Sequence, residues 1–133
     1  MPSRPNENAL AWALLIARVG AGALLIYGHG WGKLMHFGER VHAFANPIGV
    51  GPEAGFTLVV FAEVFCAAAV ALGLFTRFTV VPLLIFFAVA AFVQHAHDPF
   101  PKRELPMLFG IVYLVVALAG PGRFSIDGLR GRG

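Results

Sequence analysis

The chain has 133 residues, of which 58% are hydrophobic and only 13% charged, with a formal net charge of +3. An ordinary soluble domain carries about 25% charged residues. This chain therefore lacks the polar surface of a soluble enzyme, and its thirteen Phe and long apolar runs exclude a disordered tail. The ten Lys and Arg are scattered rather than gathered into a basic stripe, so no nucleic-acid partner is implied.

Length sets a single domain, residues 1–133. The first apolar run, Ala9 to Tyr27, is 19 residues long and broken only by Arg18. A hydrocarbon core of about 30 Å needs about 20 helical residues, so this run reaches across. It reads as a permanent helix rather than a cleaved leader. Arg18 interrupts the apolar stretch, and Ala21-Gly22-Ala23 falls inside it instead of after it.

A long connection follows, Gly28 to Gly55. Its middle carries Leu34, Phe37, Val41 and Phe44 at helical spacing, the pattern of an amphipathic segment lying in the membrane interface. Gly28-His29-Gly30-Trp31-Gly32-Lys33 is not a phosphate loop. It is one residue too short, and Leu34 stands where a hydroxyl residue is needed. Gly28 and Gly32 also form a GxxxG pair, whose ordinary reading is close helix packing.

The second run, Phe56 to Phe75, holds one charge, Glu63. Only Thr76-Arg77 separates it from the third run, Phe78 to Val93. Gln94 to Glu104 is a polar, proline-containing link, and Leu105 to Ala119 is the fourth run. The pattern predicts an all-α membrane protein. It is a four-transmembrane-helix antiparallel bundle, with helices at about 9–28, 56–75, 78–94 and 104–120 and an interfacial segment in the first loop. In that topology Arg4, Arg77, Arg123, Arg130 and Arg132 share one side with both termini, against Lys33, Arg40, Lys102 and Arg103 on the other. The bias puts both termini in the cytoplasm. All five histidines fall on the opposite side.

Arg18 and Glu63 are the first candidates for chemistry, because each costs about 2.5–3.5 kcal/mol at a helix centre. Counted from the run ends, their Cα levels differ by roughly 4–5 Å. That is close enough for an ion pair. Such a pair either binds a polar headgroup or relays a proton, or else fixes helix register. At 100° per residue Gly22, His29, Lys33 and His36 project near Arg18, so a helix running through the glycines would carry a polar stripe to the surface. His95 and His97 are candidate hydrogen-bond or proton donors at the mouth of that stripe. As metal ligands they lack a completing set, and no metal is expected. Tyr113 would point a hydroxyl into the bundle from the fourth helix. Cys66, one turn from Glu63, is either a cavity wall or a small buried residue.

The order of these features resembles the DoxX family of small four-helix membrane proteins over roughly residues 15–127. Arg18-x-Gly20 and His29-Gly30-x-Gly32-Lys33-Leu34 carry it first, then Glu63 and Gly73-Leu74-x-Thr76-Arg77. The His95–Pro99 segment and Gly120-Pro121-Gly122-Arg123-Phe124-Ser125-Ile126-Asp127 complete it. The resemblance implies association with quinone-linked oxidoreductases. The chain has no haem, flavin or cysteine-pair motif, so its electron carrier would be a bound quinone or belong to a partner redox subunit, and a homo-oligomer is the other assembly considered. Arg18 and Glu63 are then expected to hold or protonate a quinone headgroup, with His29, Lys33, His95 and Tyr113 binding around it. A non-catalytic scaffold subunit and a small-molecule or proton carrier are the competing classes.

Overall fold

A computed structural model describes residues 6–131, and Arg4 and Arg132 lie outside the described residues. Among these residues there are helices and loops but no strand. Helix α1, Glu7–Met35, is 29 residues long and runs straight through the glycines. A short α2, Phe37–Arg40, and a single 3₁₀ turn, Val41–Ala43, follow. Helix α3 is Pro52–Leu72 and α4 is Thr76–Gln94. Helix α5 is Phe100–Ala119, and α6 is the short Ile126–Leu129. Three helices (α1, α3 and α4) are long and apolar enough to cross a membrane.

The boundaries differ from those read off the apolar runs for local reasons. Pro52 opens α3 and Pro101 sits in the first turn of α5, where a missing N–H costs nothing. Helix α1 continues because its neighbours use two of its glycines. A Cβ on Gly22 would lie 3.1 Å from Ala71 Cβ, and one on Gly30 would lie 2.8 Å from the Glu63 carbonyl oxygen. Close packing therefore falls on Gly22 and Gly30. Gly28 meets nothing within 4 Å, and Gly32 only the end of Arg40.

The long helices bury Leu25, Ala67, Val70, Leu83, Tyr113 and Val116 between them, and Cys66 belongs to this core. A second apolar cluster forms where the first loop folds back on α3. Leu34, Phe37, Val41 and Phe44, the residues with amphipathic spacing, pack on Phe56, Val60 and Val64. Their apolar face is spent on protein.

The turn between α3 and α4 falls at Gly73 to Phe75, earlier than the expected Thr76-Arg77, which instead open α4, and both helix ends at it are capped from elsewhere in the chain. Gly73, at φ +70°, closes α3 with a Schellman motif, Leu74 N–H donating to Ala69 O and Gly73 N–H to Val70 O. Arg18 then takes the remaining carbonyl, Nη1 donating to Ala71 O at 2.7 Å and to Val70 O at 3.3 Å, while Nη2 donates to Phe124 O at 2.6 Å. On the other side Asp127 accepts the first amides of α4, Phe75 N–H at 2.9 Å and Thr76 N–H at 2.8 Å. A cation thus sits at a helix C-terminus and an anion at a helix N-terminus, each where the peptide dipoles favour it.

Burial opposes ionisation of Asp127, but the Thr76 and Phe75 amides and Arg130 outweigh it and hold the carboxyl below its usual range. A carboxyl with a lower pKa folded than unfolded contributes stability above the unfolded value near 4. That contribution is lost as the pH falls through the folded value. We therefore expect Asp127→Asn to melt below wild type at neutral pH and to lose less of its melting temperature between about pH 5 and pH 3. Parallel acid curves for the two proteins would remove Asp127 from this role.

Candidate functional site

Each of the three membrane-length helices contains one π-helical stretch: Ile26–Gly30 in α1, Phe61–Cys66 in α3 and Ala90–Gln94 in α4. A π turn accommodates an extra residue, widens the helix and rotates the side chains that follow it. Such turns recur at functional sites. His29 lies in the first stretch, Glu63 in the second and Gln94 in the third, and all three line one chamber of about 490 Å³. Lys33, His95 and Lys102 complete its polar lining, while Leu25, Phe87, Leu105 and Phe109 are among its apolar walls.

Two of the lining residues form an ion pair. Lys33 Nζ donates to Glu63 Oε1, and the two side chains are 26% and 3% exposed. Here the structure corrects the expected partner, since Glu63 pairs with Lys33 and Arg18 does not reach it. Arg18 lies level with Val70 and Ala71 on the antiparallel α3, and Glu63 is eight residues further along, about 12 Å. The depth estimate failed because the first ten residues of α1 overhang the end of α3. The C-terminal segment covers that overhang, Trp12 meeting Phe124 edge-on at 5.0 Å and Leu14 seating against Gly122.

The polar stripe survives in part. His29 and Lys33 reach the chamber, but α1 stops before His36 (φ −111°), whose ring turns outward to Glu39 at 3.4 Å. His95 is held by Asp98, Nδ1 to Oδ2 at 2.6 Å across the turn between α4 and α5, and this bond leads the interactions that hold the Asp98 carboxyl below its usual range. Arg103 anchors the same turn, Nε donating to Ala91 O at 3.0 Å in the widened end of α4. Among the described residues no group of three or more His, Cys, Asp or Glu side chains converges as metal ligands would.

Tyr113 is separate from the chamber lining. It is fully buried, with its ring stacked 6.0 Å from Phe87, which in turn stacks 5.3 Å from Phe109. His29 meets Phe109 edge-on at 6.3 Å. An aromatic column therefore connects the chamber to Tyr113, whose hydroxyl has no hydrogen-bond partner among the described residues. The phenylalanines of this column carried no distinguishing signal in the sequence. Each reads as one more apolar residue until α4 and α5 are set side by side.

The residues behind the family resemblance thus separate into two groups. Arg18, Gly73, Thr76, Phe124 and Asp127 meet at the turn between α3 and α4, whereas His29, Gly30, Lys33, Glu63 and His95 meet at the chamber. A family model described as DoxX matches residues 13–96, which takes in most of α1, all of α3 and α4, and the chamber residues up to His95. An uncharacterized membrane protein of Mycobacterium tuberculosis is 30% identical to this chain, over 71% of it and 73% of the relative. No solved structure matches. With the family model covering more than half of its length, this chain belongs to the DoxX family of membrane proteins.

Proposed function

We propose that this DoxX-family protein spans a bacterial-type inner membrane four times, with both termini cytoplasmic, and that its chamber holds the polar ring of a quinone. It would serve as one component of an oxidoreductase whose electron carrier resides on a partner subunit. The fourth span is α5, which exposes Leu108, Ile111, Leu114, Val115 and Leu118 along its length. Such a face suits hydrocarbon and would be costly in water.

The observation that carries the reading is the Lys33–Glu63 pair, which lines a chamber together with His29 and His95. A purely structural pair has no use for a cavity beside it. The donor set fits a quinone ring. Its two carbonyl oxygens accept hydrogen bonds, which an ammonium and imidazole N–H groups supply, and Phe87 and Phe109 offer apolar surface to the ring. When bound, a quinone supplies two-electron, two-proton redox chemistry. The chain's own part is to orient the ring through Lys33 and to deliver or accept protons at Glu63 and the two imidazoles. Arg18, occupied with three carbonyls, keeps α1 and α3 in register so that Lys33 meets Glu63.

Mass spectrometry of lipid-soluble ligands retained by gently purified protein tests this directly. Wild type is expected to retain a quinone near stoichiometrically and Glu63→Gln to lose at least ten-fold of it. Absence of quinone from both samples would return the chamber to a structural or carrier role.

A further inference from the structure

A second cavity, of about 290 Å³, lies between α3 and α4 and shares Phe44, Val59, Phe86, Ala90 and Gln94 with the chamber. Its other walls come from Leu58, Phe61 and Ala62 on α3 and from Pro82, Ile85 and Val89 on α4. The lining is apolar apart from Gln94, which stands at the chamber end. From Gln94 down to Pro82 the groove follows twelve residues of α4, about 18 Å, toward the middle of the bilayer. On the water side it is covered by Phe44, Pro47 and Ile48 of the first loop, and the Phe44 ring rests 3.2 Å from where a Gly55 Cβ would be. Toward the membrane it is flanked by the exposed side chains of Leu58, Phe61 and Ile85.

We infer that this groove is a subsite for a hydrocarbon tail, so that the chamber and groove together bind one amphiphile, a ring with a prenyl or alkyl chain, admitted sideways from the bilayer between α3 and α4. The inference rests on the quinone reading of the chamber and deepens it. Three observations select this occupant. The two cavities are contiguous through five shared residues. The charged groups and imidazoles are confined to one cavity, and apart from Gln94 only apolar groups line the other, the division an amphiphile itself has. The groove is closed toward water by the loop and borders the lipid-facing side of two membrane-length helices, which suits a ligand dissolved in lipid.

The test compares 2,3-dimethoxy-5-methyl-1,4-benzoquinone, the ring alone, with its 6-decyl derivative. Each is titrated onto immobilised phosphatidylcholine nanodiscs carrying the full chain, with empty nanodiscs subtracted to remove simple partitioning. Wild type is expected to bind the decyl compound at least ten-fold more tightly than the bare ring. Val89→Trp, which fills the groove and lies outside the chamber lining, is expected to erase that gain and leave bare-ring binding unchanged. Ile85→Trp repeats the test at an exposed position, where folding is not at stake. If wild type shows no gain from the tail, or the gain persists in both variants, the groove is not the tail site even though the ring site stands. If neither compound exceeds empty nanodiscs, the quinone reading fails, and this inference with it.

Discussion

Arg18→Leu is expected to lower the melting temperature of the detergent-solubilised protein by roughly 10–20 °C. The guanidinium is fully buried and donates to the carbonyls of Val70, Ala71 and Phe124. Hydrogen bonds to a charged group contribute about 1.5–3 kcal/mol each, but burying the cation costs part of that, and its Nε has no partner among the described residues. A net loss of about 3–5 kcal/mol is the balance, comparable to breaking a buried ion pair. For a chain of this size about 1 kcal/mol corresponds to roughly 3–5 °C. Leucine fills much of the vacated space, so the loss would report the orphaned carbonyls rather than a cavity. Lysine, which can reach one or two of the three acceptors, is expected to fall between. A Leu variant as stable as wild type would mean that water or lipid caps α3 equally well.

Lys33→Met is expected to cost about as much, while Glu63→Gln should cost far less, because the two partners are unequally buried. Removing Lys33 leaves a carboxylate whose side chain is 3% exposed without its cation, a loss of about 3–5 kcal/mol. Removing the charge of Glu63 leaves an ammonium that is already 26% exposed and can swing out to water. The double variant Lys33→Met with Glu63→Gln should recover most of the stability, since neither charge is then stranded, yet retain no quinone. Thermal melts of the four proteins form a double-mutant cycle, with ligand retention as its second readout. Equal losses in the two single variants would contradict the asymmetry. Full ligand retention by the double variant would show that the pair only holds the helices together.

Much of this architecture was legible in the residues. Apolar run length found the membrane-length helices, and the topology put His29, Lys33 and His95 on one side of the membrane, while Glu63 read as the partner of Arg18. Pairing was not legible. Run ends mark where apolar residues stop, not how two helices are offset, and here α1 overhangs α3 by about ten residues. Nor do the π stretches leave a signature in composition. Phe61–Cys66 and Ala90–Gln94 read as ordinary helix, although the extra residue in each turn alters the facing of everything after it. The roles of Asp127 and Phe124 depend on contacts more than 50 residues distant in sequence, which no local pattern encodes.

That distance has a consequence during synthesis. Arg18 leaves the ribosome 52 residues before Val70, and Thr76 leaves it 51 residues before the carboxylate that caps it. At about 5–20 residues per second each interval lasts roughly 3–10 s. For the first interval the membrane-insertion machinery handles a helix whose guanidinium still lacks the Val70 and Ala71 carbonyls that will accept from it. For the second, the hairpin of α3 and α4 exists with its leading amides bare. The nascent hairpin is thus held from the Arg18 side before it is held from the other, and the Phe124–Asp127 segment arrives last, as the latch on an already inserted protein.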